Sequence, residues 1–323
     1  MKGAKVIKKV ALVGMLIIFS LLLICPLANA SETNPQIWLI GISQPNDTHP
    51  IRRAQYDVVR WYEAEHPNVK FIVTSARLSA DKQSADVEAL IARRVDLIMV
   101  CPHQSQAMVP VLRRVIDAEI PMMAFDRQVA KSIIPYSTTY VGMDYVEKGT
   151  FGGKLTAEAM GGKGNLVVIE GVQGSASNID NMKGFGSVIE KYPDIHVITV
   201  QVANYQREQA LDIMETILLA HKDIDFVFCE NDEMGFGALA AIKAAGREDE
   251  IKVGSMDGQK GAIEAVMSGE LAFTVKMPIF FPEALDIAVE ILEGKKVDKE
   301  ILLPQFPITK ENAAEHYDPK AIF

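Results

Sequence analysis

The apolar run Ile120-Pro-Met-Met-Ala-Phe125 delivers an acid and a guanidinium side by side, Asp126-Arg127, at its carboxyl end. A sheet interior has no use for two adjacent charges, but the mouth of a ligand cleft does. A carboxylate accepts from neighbouring hydroxyls, and an arginine fork donates to others in fixed geometry. Consecutive residues of a strand point to opposite faces, so these two are badly placed to pair with each other. Two further apolar runs end on polar tips, at Asn231 and at Asp257. Asn231, followed by Asp232 and Glu233, also reads as a helix N-cap, and Asp257 before Gly258 reads as a turn. Taken together, the three tips point to recognition of a polyhydroxylated small molecule.

The elements that must position these tips follow a strand-helix rhythm of about 25 residues. Near-continuous apolar runs predict strands over Gln36–Ile42, Val69–Thr74, Asp96–Val100, Met122–Phe125, Thr139–Gly142, Leu166–Glu170, Val197–Val202, Phe226–Cys229, Lys252–Ser255 and Ala272–Lys276. Such runs suit parallel strands covered on both faces. Amphipathic stretches between them predict helices, among them Ile51–His66, Gln106–Asp117, Glu147–Met160 and Met234–Ala245. The pattern implies an α/β fold of parallel, doubly wound sheets. In such sheets ligands lie beyond the carboxyl ends of the strands. A break into two lobes is expected near Val141-Gly142-Met143-Asp144.

Met1–Lys9 carries four lysines and no acid, Val10–Leu27 is almost wholly apolar, and Ala28-Asn29-Ala30 is a small-x-small site. This is the pattern of a secretory signal cleaved after Ala30; the alternatives are an uncleaved anchor and a lipidated Cys25. Removing residues 1–30 takes away four lysines, so the formal charge moves from −9 to −13. So acidic a chain suits neither nucleic acid nor anionic membrane surfaces. Cys101 and Cys229 each end an apolar run and read as separate buried thiols; the alternative, in an exported chain, is that they pair.

Several chemistries find no support. The histidines, His49, His66, His103, His196, His221 and His316, include no i,i+4 pair and no HExxH arrangement, so no metal site is expected. There is no G-x-S-x-G elbow. Gly161-Gly-Lys-Gly-Asn165 precedes a strand and lacks the phosphate-loop spacing. No helix-turn-helix precedes the first strand, and no cofactor or enzymatic activity is expected.

The order and spacing of several phrases make the chain resemble type I periplasmic sugar-binding proteins, in the ribose- and galactofuranose-binding branch that serves ABC transporters. These phrases are Ile42-Ser-Gln, Leu90-Ile-Ala-Arg-Arg-Val-Asp-Leu-Ile98, Ile120-Pro with Phe125-Asp-Arg, Gly171-Val-Gln-Gly-Ser175, Glu230-Asn-Asp-Glu-Met-Gly-Phe-Gly-Ala-Leu239, and Met256-Asp-Gly258. The resemblance implies two Rossmann-like lobes, residues 31–143 plus 278–304 and residues 144–277 plus 305–323, joined by three hinge crossings and closing on ligand like a flytrap. Carried over position by position, it implies ligand contacts from Ser43, Arg52, Asp126, Arg127, Asn181, Tyr205, Asn231 and Asp257, with the Tyr205 ring packing on a sugar. Arg52 matches the galactofuranose-binding type. Departures are Asp47-Thr-His-Pro50 in place of an aromatic wall, Asn181 in place of an arginine, Cys101 in place of an asparagine and Met277 in place of a glutamine. They imply a site less ionic, with fewer donors, than the ribose type.

The implied function is capture of a monosaccharide or similar polyol outside the cytoplasmic membrane by a monomer, and delivery to an ABC permease. The alternative is that the closed form reports sugar to a sensor kinase or chemoreceptor.

Overall fold

The computed structural model describes residues 36–323; the expected export segment, with Cys25 and Ala30, lies outside the described residues. The first half alternates β1 (Trp38–Gln44), α1 (Pro50–Glu65), β2 (Val69–Ser75), α2 (Ala80–Ala92), β3 (Leu97–Val100), α3 (Val109–Asp117), β4 (Met122–Asp126) and β5 (Tyr140–Gly142). The second continues with α4 (Tyr145–Ala159), β6 (Gly164–Glu170), α5 (Ala176–Ile189), β7 (Ile195–Val202), α6 (Arg207–Ala220), β8 (Phe226–Cys229), α7 (Asp232–Ala244), β9 (Lys252–Gly254), α8 (Lys260–Ser268) and β10 (Phe273–Lys276). The chain ends with α9 (Glu283–Leu292), β11 (Glu300–Leu302), β12 (Phe306–Thr309) and α10 (Ala313–His316).

Two parallel sheets result. One runs β11-β5-β4-β3-β1-β2 and the other β7-β6-β8-β9. The antiparallel pair β10-β12 extends the second sheet, because β9 and the residues after it exchange backbone hydrogen bonds with β10. The apolar runs dictate which strands are central: every residue of β3 and β8 is buried, whereas the edge strand β7 exposes Val197 and Val200. Apolar clusters fill both faces of each sheet.

Helix starts are fixed by side-chain caps at the strand-to-helix turns. Ser79 accepts from the Lys82 amide, Asp144 from Glu147, Ser175 from Asn178 and Asn231 from Met234, each satisfying an amide that has no partner inside its helix. Pro50 opens α1, where a missing N–H does no harm.

The expected strands all form, Phe226–Cys229 with the expected bounds and the others with shifted ends. The first extends to Gln44 instead of Ile42, and α4 begins at Tyr145 rather than Glu147. The sequence reading missed β11, β12 and α10, whose three or four residues are too short to show a period.

Candidate functional site

Asp126 is the last residue of β4 and adopts a left-handed backbone, φ 58°. Its Oδ2 meets the Arg52 guanidinium from the first turn of α1 and its Oδ1 accepts from the Tyr145 hydroxyl. The Cys101 thiol lies 3.4 Å from Oδ2. Burial alone would raise the Asp126 pKa, but Arg52 and Arg127 outweigh it and hold the carboxyl below the usual range. Arg127 does not pair with its neighbour. Its Nη1 makes only long contacts with the Pro102 and His103 carbonyls, 3.5 and 3.4 Å, and its guanidinium sits 5.3 Å over the Tyr205 ring.

On the opposing sheet, Asp257 follows β9 with φ 141° and accepts from Lys148 Nζ of α4 at 2.7 Å. Burial pushes its carboxyl up to about 7, against the pull of Lys148. Asn231 caps α7 through Oδ1, so its amide nitrogen faces His49 Nε2 at 2.8 Å. An amide NH₂ can only donate, so Nε2 accepts and the neutral ring carries its proton on Nδ1. Burial, helped by Arg52 and Arg127, presses the His49 pKa down to about 3, in keeping with that neutral ring.

Glu230, one residue past β8, is buried and accepts four hydrogen bonds: from the Gly171 amide at 2.7 Å, Asn178 Nδ2 at 2.8 Å, Asn181 Nδ2 at 3.0 Å and the Tyr205 hydroxyl at 2.6 Å. Burial and then the Glu230 charge raise the Tyr205 phenol well above its ordinary pKa. Tyr205 itself has φ 61°.

These groups surround one cavity between the strand tips of the two sheets. The structure brings six of the eight expected residues to its wall: Arg52, Asp126, Arg127, Asn181, Tyr205 and Asp257. Ser43 does not reach it. Because β1 runs on to Gln44, Ser43 is an interior strand residue paired between Thr74 and Val100, and its Oγ accepts from Gln83 at 3.2 Å. Asn231 stands just behind the wall, reaching it through His49.

The sequence reading missed Asn46, Tyr145, Lys148, Ser177 and Glu230 as wall residues, and named His49 only as part of a lost aromatic wall. Glu230 carried the signal already used for Asp126, an acid directly after an apolar strand. Lys148 looked like an ordinary helix charge; its burial depends on the glycines Gly149, Gly152 and Gly153, which let α4 pack closely. Three carboxylates, two guanidiniums and a lysine line the cavity.

Cys101 and Cys229 are free, buried thiols on different sheets. Among the described residues, no group of three His, Cys, Asp or Glu side chains is placed to hold a metal ion.

Comparison with known proteins agrees with this architecture. The ribose import binding protein RbsB of Bacillus subtilis is 32% identical over 244 residues, 75% of this chain and 78% of that protein. The galactofuranose-binding protein YtfQ of Escherichia coli is 31% identical over 265 residues, 80% and 82% of the two chains. A solved ABC transporter solute-binding protein from Bacillus halodurans, with bound myo-inositol, superposes with a TM-score of 0.82 at 28% identity, covering 88% of this chain and 98% of that one. The family model described as a periplasmic binding protein domain matches residues 40–296, and with it the strands, the two-sheet plan and the cavity find their place: this chain belongs to the periplasmic binding protein family.

Proposed function

We propose that the protein captures a monosaccharide or similar polyol between two lobes, residues 31–143 plus 278–304 and 144–277 plus 305–323, and hands it to an ABC permease. The observation that carries this reading is the convergence of Asp126 and Arg127, at the end of β4, with Asp257, after β9, and Asn181, on α5, on a single cavity. Relatives named for ribose and galactofuranose, and a neighbour holding myo-inositol, support a hydroxyl-rich guest. Export with cleavage after Ala30 belongs to the same reading.

The chain would cross between lobes near Met143, Met277 and Pro304. The first and third of these segments run side by side: Leu303 donates to the Gly142 carbonyl at 2.7 Å, and Gln305 Nε2 to the Asp144 carbonyl at 2.5 Å. Rotation about them would open the cavity. Ligand bonded to Asp126 and Arg127 on one side and Asp257 on the other gains its full set of bonds only when the lobes meet, so binding shifts the hinge equilibrium toward closure. Moving from mostly open to mostly closed needs about 5 kcal/mol of differential binding. Two or three hydrogen bonds to charged groups, at roughly 1.5–3 kcal/mol each, supply it. The guest is released chemically unchanged.

A thermal-shift screen of residues 31–323 against pentoses, hexoses, furanoses and acyclic polyols tests this. A ligand at a hundred times its Kd stabilises by about 2.7 kcal/mol, which raises Tm by roughly 4 °C at this chain length. Arg127→Ala should abolish the rise. No response to any of the four classes, or a full response in the variant, sinks the reading.

A further inference from the structure

The four hydrogen bonds accepted by Glu230 leave it nothing to offer a ligand directly. A carboxylate has about four acceptor sites, and here each oxygen takes two donors: Oε1 those of Asn181 and Tyr205, Oε2 those of Gly171 and Asn178. Its charge is met by fixed neutral donors rather than by a contacting cation. Glu230 nevertheless lines the cavity, so its influence on a guest must pass through the groups it holds.

Asn181 is the informative one. Only its NH₂ can face a carboxylate oxygen, since its carbonyl would set acceptor against acceptor. The amide orientation is therefore fixed by Glu230, and Oδ1 is the atom left over. That oxygen is buried and has no partner among the described residues, while the side chain lines the cavity and is 1% exposed. A buried acceptor without a donor is unfavourable, and a guest hydroxyl would remove the deficit. Arg127 and Lys148 on the neighbouring walls are donors only, so the Asn181 oxygen gives the cavity an acceptor that is not already held in a charged pair.

We infer that Glu230 is a positioning residue that sets the hydrogen-bond polarity of the α5 wall, so that Asn181 presents an acceptor and selects a guest hydroxyl acting as donor at that point. The inference rests on the polyol reading for its guest, and on the hydrogen-bond network alone for the role of Glu230.

The test uses the full exported chain, residues 31–323. Affinities for D-ribose, D-galactose, xylitol and myo-inositol are measured by calorimetry. The tightest binder is then compared with its fluorodeoxy and O-methyl counterparts, position by position; neither substituent can donate. Loss of one well-made hydrogen bond corresponds to about tenfold in affinity. In the wild type, one position should lose about tenfold or more on either replacement. In Asn181→Ala the fluorodeoxy penalty at that position should fall to within about twofold, and Glu230→Gln should also reduce it, because a Gln NH₂ would face donors already in place. An equal fluorodeoxy penalty in wild type and Asn181→Ala, or no single sensitive position, overturns the assignment.

A ligand-free measurement separates this from failure of the polyol reading. In Glu230→Gln the Tyr205 phenol should titrate at lower pH than in the wild type, read as the ultraviolet difference against Tyr205→Phe, and the Asn181 side-chain amide resonances should move. If no pentose, hexose, furanose or acyclic polyol binds, the polyol reading falls while these two signals still decide the role of Glu230. If both are unchanged, Glu230 does not hold Tyr205 and Asn181, and the inference falls.

Discussion

Arg52→Met is the sharpest test of how the first wall is built. The side chains of Arg52 and Asp126 are 4% and 3% exposed, so their contact is a buried ion pair. Removing one partner of such a pair typically costs about 3–5 kcal/mol, because the other charge stays buried. Here the Tyr145 hydroxyl and the nearby Arg127 still attend the carboxylate, which places the expected loss near the lower end, about 3 kcal/mol. At this chain length that is a fall in Tm of roughly 5 °C. The double variant Arg52→Met/Asp126→Asn leaves no buried charge at the pair and should recover about half of the loss. The pH dependence carries a sign. Wild-type Asp126 is held below its ordinary value, so its contribution is present above the unfolded carboxyl pKa of about 3.9 and is lost as pH falls through the lower folded value. Without Arg52, burial prevails and the folded pKa rises. The deficit of the variant is then greatest near neutrality and shrinks toward pH 4. Thermal melts followed by circular dichroism between pH 7.5 and 4 decide it. A deficit under about 1 kcal/mol, one constant across that range, or a double variant less stable than the single would refute the reasoning.

Two further perturbations probe the second sheet. Lys148→Met should let the Asp257 carboxyl, already raised to about 7 by burial, rise further. A raised carboxyl contributes stability in acid that is lost as pH rises through its folded value, so the Tm deficit of the variant should widen between pH 6 and 8; a deficit that does not change with pH contradicts the assignment. Gly171→Ala would set a methyl group into the Tyr205 ring. It should lower stability by about 1–3 kcal/mol and remove the response to polyols, and an unshifted melt with an intact response would show that Tyr205 is free to move.

The fold was legible because its strands are buried on both faces and announce themselves as apolar runs. The charges at the ends of those runs gave much of the site for the same reason: Asp126, Arg127 and Asp257 violate a local pattern, and the violation is the signal. Lys148 gave no such signal. It sits in the first turns of an amphipathic helix where a solvated lysine is ordinary, and only the packing of α4 against α5 and β10 buries it. Ser43 failed in the other direction. Its place in the wall depended on where β1 stops, and a strand end is set by pairing with β2 and β3, which no local stretch of residues encodes. The capping role of Asn231 was readable from Asp232 and Glu233 after it; its reach to His49 depends on two segments 182 residues apart and was not.

Three wall residues, Asp126, Tyr205 and Asp257, have backbone φ values of 58°, 61° and 141°, a region that side chains other than glycine rarely occupy. Each such residue stores strain on the order of 1–3 kcal/mol, and it persists only where the surroundings over-determine it. The surroundings here do so with the same bonds that shape the cavity. Arg52 and Tyr145 hold the Asp126 carboxylate while Tyr140 donates to its carbonyl; Glu230 holds the Tyr205 hydroxyl; Lys148 holds Asp257, whose amide donates to the Val275 carbonyl. Glycine at any of the three would relieve the backbone and delete the group that faces the guest. The strained turns bring each side chain back over its strand end, and the buried partners lock its rotamer before a ligand arrives. The ordering that binding would otherwise demand is thus completed during folding, which, on the proposed two-lobe closure, leaves more of the contact energy available to draw the lobes together.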